Sequence, residues 1–490
     1  MIKKKIYIAV PIACILALLL IIFGRVFTLK STEAYSQTNV KNYSIDNKTV
    51  LEHLSKSIQY KTISYQDNSK VDKLEFTKFH KFLEDSFPNI HKNLQREKVN
   101  ELSLLYKWQG TENNSDAILL MAHMDVVPAN ELSEKSWKYP PFSGKIIDGY
   151  VWGRGALDMK SQLMGEFEAI DALIRKGYKP KKTIYIAFGH DEEVSGINGN
   201  YKIASYLESK GVKLSAVLDE GGFVVKNMIS GINDPVALVG VAEKGYLTLE
   251  LSATDNGGHS ALPPKHSAIG KLASAINALE ANQFEAKISE VTQEFLKAIA
   301  PEMPFAQKLA FANMWLFKPL ILNTLNKSDN SNALIRTTIV STMIDGGVKE
   351  NTLPQHAKAL VNFRILQGES VDSVIAKVKK VINNDQISIK AINSSWNPSI
   401  VSASDSEEFK DISVAAKATF SNVVVAPYLV AGSTDSRYYQ NLTNKIYRFS
   451  PVEVSQDDLK TIHGVNEKIN NESYIKLINF YCRFIEELQK

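Results

Sequence analysis

Cysteine is nearly missing from this chain. Of 490 residues only Cys14 and Cys482 carry a thiol, and the first lies in an apolar N-terminal stretch, so neither a disulfide framework nor a Cys-based zinc site is open to it. A surplus of one charge is missing too: 57 Lys and Arg against 53 Asp and Glu leave a formal charge of +4. No arginine-rich stripe with interleaved aromatics occurs, which argues against a nucleic-acid partner. Internal repeats and low-complexity tracts are also lacking. What remains is a globular composition, 44% hydrophobic and 22% charged, in a chain long enough for two folded units with sizeable cores.

One long apolar run opens the sequence. "MIKKKIYIAVPIACILALLLIIFGRVF" sets three lysines before a mostly apolar stretch, Ile6 to Phe23, long enough to cross a hydrocarbon core of roughly 30 Å. No A-x-A-like cleavage site follows it, and Cys14 sits mid-run behind Pro11, which argues against both a cleaved and a lipoprotein signal. With the lysines kept in the cytoplasm, the rest of the chain lies outside it. Residues 1–30 are therefore expected to be a membrane anchor, the alternative being a cleaved signal of a secreted protein. Residues 31–43, rich in Ser, Thr and Asn, read as a linker.

In the body, three stretches share one pattern: "DAILLMAHMD" (116–125), "KTIYIAFGHDEE" (182–193) and "LSAVLDEGG" (214–222) each begin as an apolar strand and end in acids or histidine. Amphipathic helical segments lie between them, notably the one from Met159, where Leu163, Phe167, Ile170 and Leu173 recur at helical spacing. Alternation of this kind predicts an α/β domain with a mixed, largely parallel sheet over 44–245 and 398–490. Ligands bind such sheets beyond the carboxyl ends of the strands, where these acids fall. Between Tyr246 and residue 397 the order becomes β-α-β-β-α-β, which predicts an inserted ferredoxin-like α+β lid. Within it, the aromatic-rich segment "EFLKAIAPEMPFAQKLAFANMWLFKPLILNTL" reads as local packing or a dimer contact, with lipid or acyl-chain binding as the alternative. Its charges and prolines argue against a second membrane span.

Of nine histidines, His53, His80, His91 and His356 lie in polar or amphipathic contexts and read as surface residues. His123 differs, because Asp125 two positions on is placed to accept a ring N–H and orient the imidazole, as a metal-bound histidine needs. Asp158 lies in a glycine-rich turn before a helix. Asp191, Glu192 and Glu193 follow in succession, and Asp219 and Glu220 form another pair. Taken singly, a strand-end acid is more often a helix cap or a solvated loop residue. Converging carboxylates repel one another unless cations sit among them.

The segments "HMDVVPA", "GRGALDMK", "GHDEEVSG", "LDEGG", "GGHSALP", "AGSTDSRYY" and "IHGVNE", in this order, resemble the co-catalytic zinc hydrolases that include aminoacylase, glutamate carboxypeptidase and carboxypeptidase S. The likeness runs from about residue 44 to the C-terminus and is strongest to the carboxypeptidase S and N-acyl amino acid hydrolase branch. It implies two zinc ions, with cobalt or manganese as possible substitutes: His123 and Asp219 on one, Glu193 and His463 on the other, and Asp158 bridging. It further implies Glu192 as general base and His259 of the lid as donor to the oxyanion, supplied in dimeric relatives by the partner subunit. Arg364, Asn351 and the loop Gly432, Ser433 and Thr434 would hold a substrate carboxylate, Arg364 through its planar fork. The implied substrate is an N-acyl amino acid or short peptide, cut at the amide before its last residue. An aminopeptidase and a non-catalytic membrane-anchored binding protein are the competing readings.

Overall fold

The computed structural model of the protein describes residues 2–29, 43–112, 115–129 and 135–488, with backbone alone for 2–11 and 393. A first helix, α1 (Ile2–Phe27), precedes the body. The body begins its sheet with β1 (Gln95–Val99), β2 (Ser103–Trp108) and β3 (Ala117–His123). Then come α2 (Lys160–Arg175), β4 (Ile184–Gly189), β5 (Leu214–Asp219) and β6 (Val236–Glu243). The chain crosses into the lid as β7 (Gly245–Thr254) and α3 (Ala268–Ala281). Next it makes an excursion through α4 (Glu290–Ile299), α5 (Phe305–Ala312) and α6 (Met314–Leu325). The lid is completed by β8 (Thr338–Gly346), β9 (His356–Ile365), α7 (Val371–Ile382) and β10 (Ile387–Trp396). The return to the body adds β11 (Val424–Val430), β12 (Ile446–Arg448) and α8 (Asn471–Glu487).

The body sheet has ten strands in the order β1-β2-β4-β3-β5-β12-β6, followed by two two-residue strands, with β11 also beside β6. The pairs β3/β4, β3/β5, β5/β12 and β6/β11 are parallel, which puts the ends of β3, β4 and β5 on one rim. Every residue of β3 is buried, because a central parallel strand is covered on both faces. One cover is α2, whose Leu163, Phe167, Ile170 and Leu173 are all buried. Gly165 lets α8 come close, since a β-carbon there would lie 2.0 Å from Leu477.

The lid strands run β8-β9-β7-β10, all antiparallel, the order of a ferredoxin-like sheet. Leu247, Leu249, Val361 and Phe363 pack with Leu272 and Leu279 of α3 and Val374 and Val378 of α7 into a separate core.

The excursion departs from the expected lid. Val291, Phe295, Leu296, Ile299, Met303, Ile321 and Leu334 belong to the core of the body, not of the lid, and Phe295 meets Tyr428 of β11 at 5.9 Å between rings. The chain of residues 246–397 thus divides between two cores. On its outer side the excursion meets α1: Ile22 and Val26 are buried, Phe23 stacks on Phe305 at 6.3 Å, and Asn313 Nδ2 donates to the Ile22 carbonyl at 3.0 Å. Among the described residues, no helix is long and apolar enough to cross a membrane. The expected span reaches back to Ile6, and its side chains before residue 12 lie outside that description, as does the expected linker up to residue 42.

His356 is exposed as expected, but the other three histidine expectations need correction. His80 is buried with neither ring nitrogen bonded, and burial lowers its pKa to about 4. His53 pairs with Glu168 at 2.7 Å, and half-buried His91 reaches the Phe87 carbonyl. A neutral imidazole can serve as an interior group, and sequence context alone did not reveal it.

Candidate active site

His123 is the last residue of β3 and is buried. Its Nδ1 lies 2.8 Å from the backbone carbonyl of Asp125. A carbonyl only accepts, so Nδ1 carries the proton and Nε2 is left free to bind a cation. Nε2 faces Asp158 Oδ1 at 3.2 Å and Glu220 Oε1 at 3.4 Å. The other oxygen of Asp158 faces His463 Nε2 at 3.2 Å, and that nitrogen also meets Glu193 Oε2 at 2.9 Å. Two triads result, His123, Asp158 and Glu220, and Asp158, Glu193 and His463, each with its ligand atoms within 4.8 Å of one another. Asp158 belongs to both. His463 takes a left-handed backbone, φ +58°, uncommon for a residue with a β-carbon.

Two expected roles change. The acid facing His123 is Glu220, not Asp219. Asp219 ends β5 with its side chain turned inward, where Oδ2 accepts from the Ser436 N–H at 3.0 Å. Successive strand residues point to opposite sides, so the next residue is the one that reaches the rim. Asp125 holds the imidazole through its carbonyl, since its carboxylate lies further from Nδ1, at 3.5 Å. That carboxylate instead accepts from Ser64 Oγ at 2.7 Å, from the Glu192 N–H at 3.1 Å and from the Glu193 N–H at 3.2 Å. It fixes the turn bearing these two acids.

The acids and histidines of the two triads shift one another's protonation. Burial, with the Asp158 charge nearby, pushes Glu193 up to about 7. Burial also pushes Glu220 up to about 8, with His123 opposing and Asp158 adding to the rise. Glu192 is raised well above the usual carboxylate range by burial and by the Glu220 charge. Burial would raise Asp158 too, but bonds from His123 and His463 hold it low. His463, bonded to Asp158 and Glu193, is raised to about 10. Two imidazoles and three carboxylates without a thiolate form a nitrogen and oxygen ligand set that suits zinc. The carboxylates' mutual repulsion fits two bound cations.

One support was not assigned from sequence. Glu467, four residues after His463, accepts from the Leu157 and Asp158 N–H groups at 2.9 and 3.0 Å and from Arg154 Nη1 at 2.7 Å. Arg154 Nη2 donates to the Gly464 carbonyl at 2.8 Å. The pair clamps the loop of Asp158 to the loop of His463. An acid so near a histidine, in "IHGVNE", was the available signal.

The lid residues fall in two places. His259 pairs with Thr352 on a short two-stranded ladder, and the adjacent Ser260 N–H donates to the Asn351 carbonyl. His259 and Asn351 are exposed, and neither bonds to the triads. Arg364 lies on β9 with its guanidinium 4.8 Å from the Tyr246 ring, and burial lowers its pKa. Tyr246 stacks on Trp396 at 4.9 Å and 18°, and the Trp396 indole donates to Ser433 Oγ at 3.2 Å. Arg364 is thereby joined to the Gly432–Thr434 loop. Gly432 is exposed, while the Thr434 N–H donates to Glu243 Oε1 at 2.7 Å.

A mixed sheet with two histidines and several acids gathered at its rim defines a metal-dependent hydrolase. The chain belongs to peptidase family M20/M25/M40, whose family model matches residues 119–487. It is 38% identical to a probable carboxypeptidase S-like 2 of Dictyostelium discoideum, over 90% of this chain and 85% of that one. It is likewise 38% identical to the N-fatty-acyl-amino acid synthase/hydrolase PM20D1 of Xenopus tropicalis, over 90% and 86%. Its fold is similar to that of an M20 family metallo-carboxypeptidase, Sso-CP2, from Sulfolobus solfataricus, with a TM-score of 0.67 and 19% identity over 90% of this chain and 98% of that one.

Proposed function

We propose that the protein is a two-zinc hydrolase cutting the amide bond next to a free carboxylate, in N-acyl amino acids or at the C-terminus of short peptides. One observation carries the substrate side of this reading. Arg364 is a half-buried guanidinium that rests on Tyr246 and has no carboxylate partner among the described residues, and a charge drawn partly out of water calls for one. A substrate carboxylate supplies it. The names of the relatives, a carboxypeptidase and a fatty-acyl amino acid hydrolase, support the same class.

His123, Asp158 and Glu220 would hold one zinc, and Asp158, Glu193 and His463 the other. Cobalt or manganese would suit these donors in vitro. Such a metal pair supplies a water of lowered pKa and polarises a carbonyl. Glu192 takes the proton of the attacking water and passes it to the leaving amine. His259 donates to the developing oxyanion. Being exposed and apart from the triads, it is delivered by lid movement or by a second copy in a homodimer. Asn351 travels with it. The N-terminal helix holds the enzyme to a membrane with its catalytic domain outside the cytoplasm.

Amidating the substrate's C-terminus tests the reading, since it leaves Arg364 without an anion. A charge-assisted hydrogen bond is worth about 1.5–3 kcal/mol, so kcat/KM should fall roughly tenfold to 150-fold. Arg364→Ala should lose as much on the free acid and little more on the amide. An amide cut as fast as the acid, with a free α-amine required, replaces this reading with an aminopeptidase.

A further inference from the structure

The excursion through α5 and α6 has a role that the hydrolase chemistry does not use. It leaves large apolar side chains in solvent: Phe305, Trp315 and Leu320 are 58%, 56% and 57% exposed, with Leu316 beside them. An exposed apolar patch marks an interaction surface. The covering partner is indicated by α1, which adjoins it. Residues 12–21 of α1, Ile-Ala-Cys-Ile-Leu-Ala-Leu-Leu-Leu-Ile, contain no polar side chain, and all ten are exposed. A helix apolar on every side is covered by a protein core or by lipid, and no described part of this chain covers it. A docked protein would cover one face and leave the others wet, whereas lipid covers all of them.

The two surfaces are fastened to each other. Phe23 stacks on Phe305, and buried Asn313, between α5 and α6, donates to the Ile22 carbonyl. The medium that takes up α1 must therefore also meet α5 and α6 at its base. Arg25 and Lys318 are exposed on these same helices and suit anionic headgroups, while a tryptophan suits the headgroup boundary.

We propose that α5 and α6 form a foot resting on the bilayer surface, with Trp315 at the level of the lipid headgroups. The body is then seated on the membrane and does not hang from a free tether. The inference rests on the membrane reading of α1, and the two can be tested apart.

Full-length protein would be mixed with phosphatidylcholine and phosphatidylglycerol vesicles, with and without lipids brominated near the headgroup end of their acyl chains. Of five tryptophans, Trp108, Trp137 and Trp152 are buried and Trp396 is half-buried in the stack at the edge of the lid. Brominated lipid should quench about a fifth of the emission, the share of one tryptophan in five, and Trp315→Phe should abolish that quenching while floating equally well. If both proteins float and are quenched alike, or neither is quenched, the foot is wrong and the α1 anchor stands. A full-length chain that does not float with vesicles overturns both.

Discussion

The backbone N–H of Glu192 donates to Asp125 Oδ1 at 3.1 Å. The proposed base thus takes its position from a buried acid at the end of a neighbouring strand. Asp125→Asn keeps the shape but turns an acceptor oxygen into an amide nitrogen in a pocket of donors. Loss of an outer partner of this kind costs roughly 10–100-fold in activity or metal affinity. Steady-state kinetics and metal analysis of the variant should find such a loss, and wild-type values in both would remove Asp125 from the machinery.

Glu220 and Asp219 make opposite predictions. Glu220→Ala deletes an acid of the His123 triad and should lower bound zinc from two equivalents to about one. Asp219→Asn can still accept from Ser436 and should keep both. Elemental analysis after dialysis against zinc decides the matter, and the reverse result would restore Asp219 as the ligand.

Zinc and protons should compete for the site. Glu193, Glu220 and His463 have their pKa values raised to about 7, about 8 and about 10. A raised pKa stabilises the metal-free fold below the unfolded value, about 4.3 for Glu and 6.5 for His, and that contribution is lost as pH rises through the folded value. The metal-free site therefore weakens from about pH 4.5 to about pH 10. The gain in Tm on adding zinc should grow between pH 6 and 8.5, and binding should release protons, seen by calorimetry in buffers of different ionisation enthalpy. Buried Lys160 and Lys244, with pKa values lowered to about 7, are present with and without metal and cancel in that difference. A zinc gain independent of pH would contradict the proton-filled cluster.

Arg154 and Glu467 form a buried pair, and removing one partner strands the other. Glu467→Ala should destabilise the protein by about 3–5 kcal/mol in urea unfolding. Leucine at both positions should cost less than the single change, because no orphan charge remains. If the double variant is as unstable as the sum of the two singles, the pair is not coupled.

The strand-end acids were legible because β3, β4 and β5 are apolar runs buried in a parallel sheet, and a strand of that kind delivers whatever follows it to the rim. The lid was legible from its order of strands and helices. The choice between Asp219 and Glu220 was not, because it depends on which of two adjacent acids is the last to obey strand alternation. The destination of α4 was hidden for another reason. Its periodicity shows that one face must be buried, but it does not reveal that β11, more than a hundred residues later, is the surface that buries it. His80 was misread because its context is polar while its ring faces the core.

The excursion through residues 290–334 gives the lid four covalent connections to the body where a simple insertion has two. All four gather in one place. A β-carbon on Gly245 would touch the Trp396 carbonyl and the Pro398 nitrogen, and Lys244 Nζ donates to the carbonyls of Ala333 and Arg336. The Lys287 N–H donates to the Ile335 carbonyl at 2.7 Å, so the outgoing and returning segments of the excursion run side by side. The lid is mounted like a door whose hinge pins share one post: it can turn about the neighbourhood of Lys244, but sliding across the rim would pull on four chains at once.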